Sequence, residues 1–494
     1  MEPFFTNDAV VLGILLAVLA AIFYTHSLES EGWKKFYRFV PALLLCYFIP
    51  AILYYPLGLI ASDWFDNSLL DYVKNLSLTL PDKMNDFGTV AAVFDSGSYD
   101  DIKLLLEKNG VGKDIIAKYT KHSRLYFVAS RYLLPASLVL LCVSIDFKAI
   151  VNLGWKAIVM FLTATLGIVI GGPIALFAAL NFFPSVLGEN AMEIANGLST
   201  VAGSWIGGGA NQNAMKIIYE VPNEVFAIML VVDIVVANIW MGFLLYGANI
   251  TERVDNWLKA DTSAIEKLKA SVAEYRASIA QMPTTTSLFV MLAVAFGAVG
   301  VSHWGADLIA PFFGDINEAS KVAIGTNDAG EEILSAGKLV ENGLSSVMSG
   351  FFWLIVISTT VGLLLSFTKA RKLEGIGASR WGSIFIYILV ATIGMHMNLG
   401  KVWANLGLFG VGIIWMLVHV TLLLLVAKLI RAPFFFVAVG SQANVGGAAS
   451  APVVASAFSP SLAPVGALLA VLGYAIGTYG AIVCAEIMRA MVSG

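Results

Sequence analysis

Ten apolar runs divide this sequence, most of them near the roughly 20 residues that carry a helix across a bilayer core of about 30 Å. They are Ala9 to Tyr24, Phe39 to Ala61, Leu125 to Ile145, Ala157 to Leu180, Val225 to Ala248, Leu288 to Val301, Val347 to Phe367, Ser383 to Met397, Leu408 to Ala427 and Leu462 to Ala485. Only 13% of residues are charged and 58% are hydrophobic, whereas a soluble domain carries about 25% charge. The fold class expected is an all-α polytopic membrane protein with the lipid bilayer as its solvent. A net charge of -4 and the lack of a long basic run argue against nucleic acid as a partner. Cys46, Cys142 and Cys484 all sit inside apolar runs, which points to packing rather than disulfides or metal binding. The first run follows Asp8 rather than a basic segment, so it reads as a retained span and not as a cleaved leader.

Two stretches break the apolar pattern at membrane depth. GSWIGGGANQNA spans Gly203 to Ala214, and GSQANVGGAASAP spans Gly440 to Pro452. Non-helical backbone is tolerated there only if it is buried in protein or lines a watery cavity, because unpaired N–H and C=O groups are costly in lipid. Glycine lets the chain turn and lets a ligand approach bare backbone. Ser204, Asn211, Gln212, Asn213, Ser441, Gln442, Asn444 and Ser450 supply neutral donors and acceptors. Helix packing of the Gly-x-x-x-Gly kind is the competing explanation, but it does not account for clustered amides in both stretches.

Basic loops mark the cytoplasmic side, and here they are Lys34, Lys35 and Arg38, then Lys148 and Lys156, then Lys369, Arg371, Lys372 and Arg380, then Lys428 and Arg431. These agree with an acidic, external 302–345 segment only if the Gly203 stretch enters the membrane and returns to the same side. Both stretches are therefore predicted to be re-entrant hairpins, with both chain termini outside. Each half also carries Lys-x-x-x-Asn-Leu-Gly, from Lys148 and from Lys401. Gly208, Gly209, Pro222 and Gly242 recur 238 positions later as Gly446, Gly447, Pro460 and Gly480. Five crossings per half invert the second half relative to the first. The predicted organisation is a first inverted repeat over 1–250 with an external insertion at 62–121, a cytoplasmic amphipathic linker at 251–284 built on Leu258, Ile265, Leu268 and Val272, and a second repeat over 285–494 with an external polar loop at 302–345.

Candidate substrate- or ion-binding residues are Ser204, Gly208, Gly209, Asn211, Asn213, Ser441, Asn444, Gly446, Gly447 and Ser450. Asp233 is the sole charge between Glu224 and Glu252. A mid-membrane carboxylate is expensive and is by default a functional candidate, so it is assigned to ion coupling, with Asn238 as a supporting residue. A structural carboxyl bonded to a neighbouring helix is the alternative. His396 and His419 are expected to serve structural hydrogen bonds, and Thr478 and Tyr479 either to face the second hairpin or, as the commoner outcome, to serve aromatic packing. Scattered histidines give no metal site.

The motifs at Ser204 to Gly209 and Ala443 to Pro452 resemble those of a bacterial and plastid membrane-protein family of unknown function, family 819, over most of the membrane part but not over the insertion after Ala61. More distantly, five-plus-five inverted repeats with a glycine-rich hairpin before each fifth helix are similar to the sodium/glutamate symporters and the 2-hydroxycarboxylate carriers. That likeness implies hairpin tips that bind substrate and sodium, a transport domain moving as an elevator, a homodimeric scaffold and a place in the bacterial inner membrane. The function expected is secondary active transport of a small anionic or zwitterionic solute coupled to Na+ or H+, without a cofactor. A cation/proton antiporter is the alternative, although it calls for a titrating carboxylate pair. A membrane-embedded enzyme is the third reading, against which no catalytic cluster or phosphate loop is found.

Overall fold

The computed structural model describes residues 2–40, 42–74, 76, 78–81, 88–97, 99–145, 153–187, 190–261, 282–326, 332–335, 337–341, 345–396, 407–459 and 462–493. Lys148, Asn152, Lys401 and Pro460 of the repeat lie outside them, as do Ile265, Leu268 and Val272 of the linker.

The chain is mostly helical, and the main helices run in this order. The first half carries α1 (Asp8–Ser27), α2 (Ala42–Tyr54), α3 (Leu125–Val143), α4 (Trp155–Phe182), α5 (Ala191–Ile218) and α6 (Asn223–Asn249). The second carries α7 (Thr251–Leu258), α8 (Thr285–Ala319), α9 (Gly350–Ser366), α10 (Ala378–Gly394), α11 (Gly407–Ile430), α12 (Phe434–Val445), α13 (Gly447–Phe458) and α14 (Ala463–Ser493). Among the described residues seven helices are long and apolar enough to cross a membrane, namely α1, α3, α4, α6, α8, α11 and the Leu468–Ser493 part of α14. An eighth is reached if α9 and the following 3-10 helix Lys369–Ile376, bent by 96°, form one broken span. The runs predicted at Phe39 to Ala61 and Ser383 to Met397 form the shorter helices α2 and α10.

The chain divides into two compact units that do not follow the sequence halves, Met1–Leu133 with Tyr387–Val402, and Leu134–Ile386 with Trp403–Gly494. In the first unit, the Asn7 side chain accepts the free N–H groups of Ala9 and Val10 and starts α1. The insertion is a small module of its own. Its ends are joined by β1 (Asp63–Phe65) paired antiparallel with β2 (Thr120–His122), Asp63 standing opposite His122. Between the strands, short helices bury Phe65, Leu69, Val93, Ile102 and Leu105 against one another. His396 reaches this module, with Nε2 3.2 Å from Asp63 Oδ2 and its ring edge-on to Tyr126 at 5.0 Å.

In the second unit, α8 changes the expected boundary of the polar loop. A capping box of Thr284 and Ser287 starts it, and it continues through Ala319, so the non-helical part of the 302–345 segment begins only at Ser320. Ser302, Ala306 and Ala310 form a buried small-residue stripe that carries the helix onward. Its 35 residues span about 52 Å, more than a bilayer core. Beyond it, β3 (Ala323–Thr326) pairs with β4 (Glu332–Leu334). Elsewhere α4 and α11 lock together through glycine, since a Cβ at Gly171 or Gly172 would lie 2.6 or 2.7 Å from the Trp415 indole. That indole donates Nε1–H to the Ile168 carbonyl at 2.8 Å. Helix α7, at the start of the predicted linker, caps α12, because Asp255 Oδ1 accepts the Phe434 N–H at 2.7 Å.

Candidate functional site

Both glycine-rich stretches fold back on themselves. Helix α5 breaks at Gly208, whose φ of 74° and ψ of -170° are not helical. A straight helix would hold Asn196 and Tyr219 about 35 Å apart, yet Asn196 Nδ2 donates to the Tyr219 carbonyl at 3.3 Å. The arms pack closely enough that a Cβ at Gly203 would lie 2.7 Å from the Asn211 carbonyl oxygen. In the second stretch the break falls at Gly446 and Gly447, the latter with φ of 57°. The rings of Phe434 and Phe458, at opposite ends of the α12–α13 pair, lie 6.0 Å apart. Each stretch is thus two antiparallel arms joined at a glycine, a residue that takes positive φ without strain.

The two breaks converge on α14. A Cβ at Gly477 would lie 2.5 Å from Gly207 Cα. The carbonyl oxygens of Ile206 and Ala443 lie 2.7 and 3.6 Å from the point that a Gly473 Cβ would occupy. Helix α14 therefore offers a glycine face on which backbone from both stretches meets.

Asp233 is buried at 5% exposure and tied to the first pair of arms. Its Oδ1 accepts the Trp205 indole N–H at 2.6 Å, its Oδ2 accepts Gln212 Nε2 at 2.9 Å, and the Ser204 side chain also hydrogen-bonds to it. Ser204 and Trp205 precede the break and Gln212 follows it, so the carboxylate straps one arm to the other. Asn238 does not join this group; its Nδ2 donates to the Ile234 carbonyl of its own helix at 2.7 Å.

Most of the remaining candidates are spent on protein partners. Asn211 Nδ2 donates to the Gly207 carbonyl at 2.9 Å and its Oδ1 accepts the Thr478 hydroxyl at 2.6 Å, so Thr478 faces the first stretch and not the second. Asn213 Nδ2 donates to the Gly209 carbonyl at 2.6 Å. Asn444 donates to the Phe161 and Gly440 carbonyls at 3.2 and 2.9 Å and accepts from Thr165 at 2.8 Å. Ser441 Oγ takes the Trp240 indole N–H at 2.8 Å and lies 2.8 Å from His419 Nε2, while His419 Nδ1 lies 3.0 Å from the Ala164 carbonyl. Ser450 Oγ accepts Gln442 Nε2 at 2.7 Å across the second break. Asn211 and Asn213 thus bond within the α5–α14 region, whereas Ser441 and Asn444 bond to α4, α6 and α11. The contributions of Trp205, Thr165 and Trp240 have no counterpart in the local sequence pattern.

Apolar helices enclosing a buried, glycine-walled polar core define an integral membrane protein. Residues 114–491 match the family described as protein of unknown function (DUF819), and the chain belongs to that family. The uncharacterized membrane protein YjcL of Bacillus subtilis (strain 168) is 24% identical over 361 residues, covering 72% of this chain and 82% of that relative. The family match begins near the end of the insertion, so most of that module lies outside it.

Proposed function

We propose that this chain is a secondary active transporter that couples the passage of a small anionic or zwitterionic solute to Na+ or H+. The observation that carries the proposal is the convergence of two glycine-broken arm pairs on the Gly473 and Gly477 face of α14. Irregular backbone at membrane depth lines a cavity or is buried in protein, and paired broken helices at a repeat interface are where transporters place their substrate. In this reading both stretches are re-entrant hairpins entering from opposite faces, and the 238-residue offset that maps Gly208 and Gly209 onto Gly446 and Gly447 reflects an inverted repeat. Such a hairpin bundle would move as an elevator against a homodimeric scaffold in the cell membrane, performing no covalent chemistry and using no cofactor.

The test is a thermal-shift screen of the purified protein against amino acids, carboxylates and sugar acids, with and without Na+, followed by uptake into proteoliposomes. Binding stabilises by mass action, so a substrate should raise the melting temperature saturably and be accumulated under an imposed ion gradient. A screen with no stabilising solute, together with no gradient-driven uptake, would overturn the proposal.

A further inference from the structure

Beside the two breaks stand two glutamines in the same chemical situation. Gln212 follows Gly208 by four residues and Gln442 precedes Gly446 by four. Both are buried, and in both the amide oxygen Oε1 has no partner among the described residues. The nitrogens are committed, Gln212 Nε2 to Asp233 at 2.9 Å and Gln442 Nε2 to Ser450 at 2.7 Å. Asp233 Oδ2 accepts from the Gln212 nitrogen, which leaves the amide oxygen turned away from it.

The surroundings leave room. Gly447 is buried, yet a Cβ there meets nothing within 4 Å, and at Gly208 and Gly209 the nearest atoms, from Tyr474 and Ile386, are 3.8 Å away. Nearby, the carbonyl oxygens of Ile206 and Ala443 converge on Gly473. The orphaned side-chain atoms of the two glutamines are therefore acceptors beside a meeting of backbone carbonyls from both arm pairs, a set that offers oxygens to a hydrogen-bond donor or a cation.

We propose that the amide oxygens of Gln212 and Gln442 face the transported species and take a cationic centre, either an alkali-metal ion or the ammonium group of a zwitterionic solute. Asp233 is a positioning residue that orients Gln212, since its own oxygens are occupied by Trp205, Ser204 and Gln212. This rests on the transport reading and adds the polarity of the ligand to it.

The experiment follows the melting temperature of the detergent-purified full chain. One arm exchanges NaCl for N-methyl-D-glucamine chloride at constant ionic strength; the other compares α-amino acids with their N-acetylated counterparts, which lack the ammonium group. Saturable stabilisation by Na+, or by amino acids but not their N-acetyl forms, is expected, and the responding arm identifies the source of the charge. Gln212→Met and Gln442→Met, each checked for a monodisperse elution profile, should each weaken that response tenfold or more. Asp233→Asn should alter the preference among Na+, Li+ and K+, or among amino acids, with both glutamines intact. A wild-type protein indifferent to both arms, or methionine variants with unchanged affinity, would overturn the inference. If a plain carboxylate is transported while neither cationic probe acts, this inference fails and the transport reading stands. If cation binding depends on both glutamines but no solute crosses, the cation site stands and the transport reading fails.

Discussion

Replacing Gly477 with alanine tests the central packing feature, the approach of bare backbone from α5 to α14. The added Cβ would stand 2.5 Å from Gly207 Cα and 2.7 Å from Asn211 Nδ2. Carbon atoms rest at about 3.5–4.0 Å, so the shortfall at Gly207 is about 1 Å. It falls between two backbones, where no rotamer change relieves it. Overpacking of this kind costs about 1–3 kcal/mol, while exchanging a helical glycine for alanine returns about 0.5–1 kcal/mol. The net expectation is a loss of up to about 2.5 kcal/mol, centred near 1 kcal/mol. Gly300→Ala on α8, where a Cβ meets nothing within 4 Å, is the matched control and should gain about 0.5–1 kcal/mol. Thermal unfolding of both variants in one detergent decides the matter. A Gly477→Ala protein that melts at or above the wild type, alongside Gly300→Ala, would refute the close approach and with it the meeting of the two breaks on α14.

Trp205→Phe removes the indole N–H from Asp233 while keeping an aromatic ring against Trp415, now 5.2 Å away; a buried acceptor left without its donor costs about 1–3 kcal/mol, and a loss of that order in chemical unfolding is expected. Asp255→Ala deprives the first residue of α12 of its acceptor and should cost about 1 kcal/mol, seen as faster amide exchange around Phe434. Burial opposes the charge of Asp63, but the His396 hydrogen bond and charge outweigh it and hold the carboxyl below its ordinary value of 3.8. The stabilisation this gives is complete above that value and is lost as pH falls through the lower folded value. Protection of the β1 and β2 amides relative to their intrinsic exchange should therefore fall in acid, and Asp63→Asn should remove that limb of the pH profile.

The long apolar helices were legible because their signal is local. Runs such as those of α4, α6 and α11 are apolar on nearly every face, and the charged residues that bound them are visible in the string. The breaks at Gly208 and Gly447 were legible for the same reason, since glycine clusters with amides stand out in apolar surroundings. The continuation of α8 past Val301 was not, because Asp307 and Asp315 suggest a loop; the signal that would have found it is Ser302, Ala306 and Ala310 at four-residue spacing. Asp233 was legible as a lone charge, but its partners Trp205 and Gln212 were not. They reach it only because the chain doubles back, 28 and 21 residues away in sequence. Asn238 was chosen by proximity in sequence, and in a helix that neighbourhood is answered by the residue's own backbone.

The same doubling back explains how the candidate side chains divide their roles. Asn211, Asn213 and Asn444 all lie within a few residues of a break, and each donates its side-chain N–H to the carbonyl four residues earlier, at Gly207, Gly209 and Gly440. Their amides are part of what makes a broken helix tolerable in a buried setting, because a buried carbonyl without a donor is costly. Gln212 and Gln442 differ, since each gives its nitrogen to another side chain and keeps its oxygen unmatched. Polar residues near a break thus fall into two groups by what they bond. The three asparagines that serve the backbone hold the arms in place, and the two glutamines, which give nothing to the backbone, each keep an acceptor unmatched among the described residues.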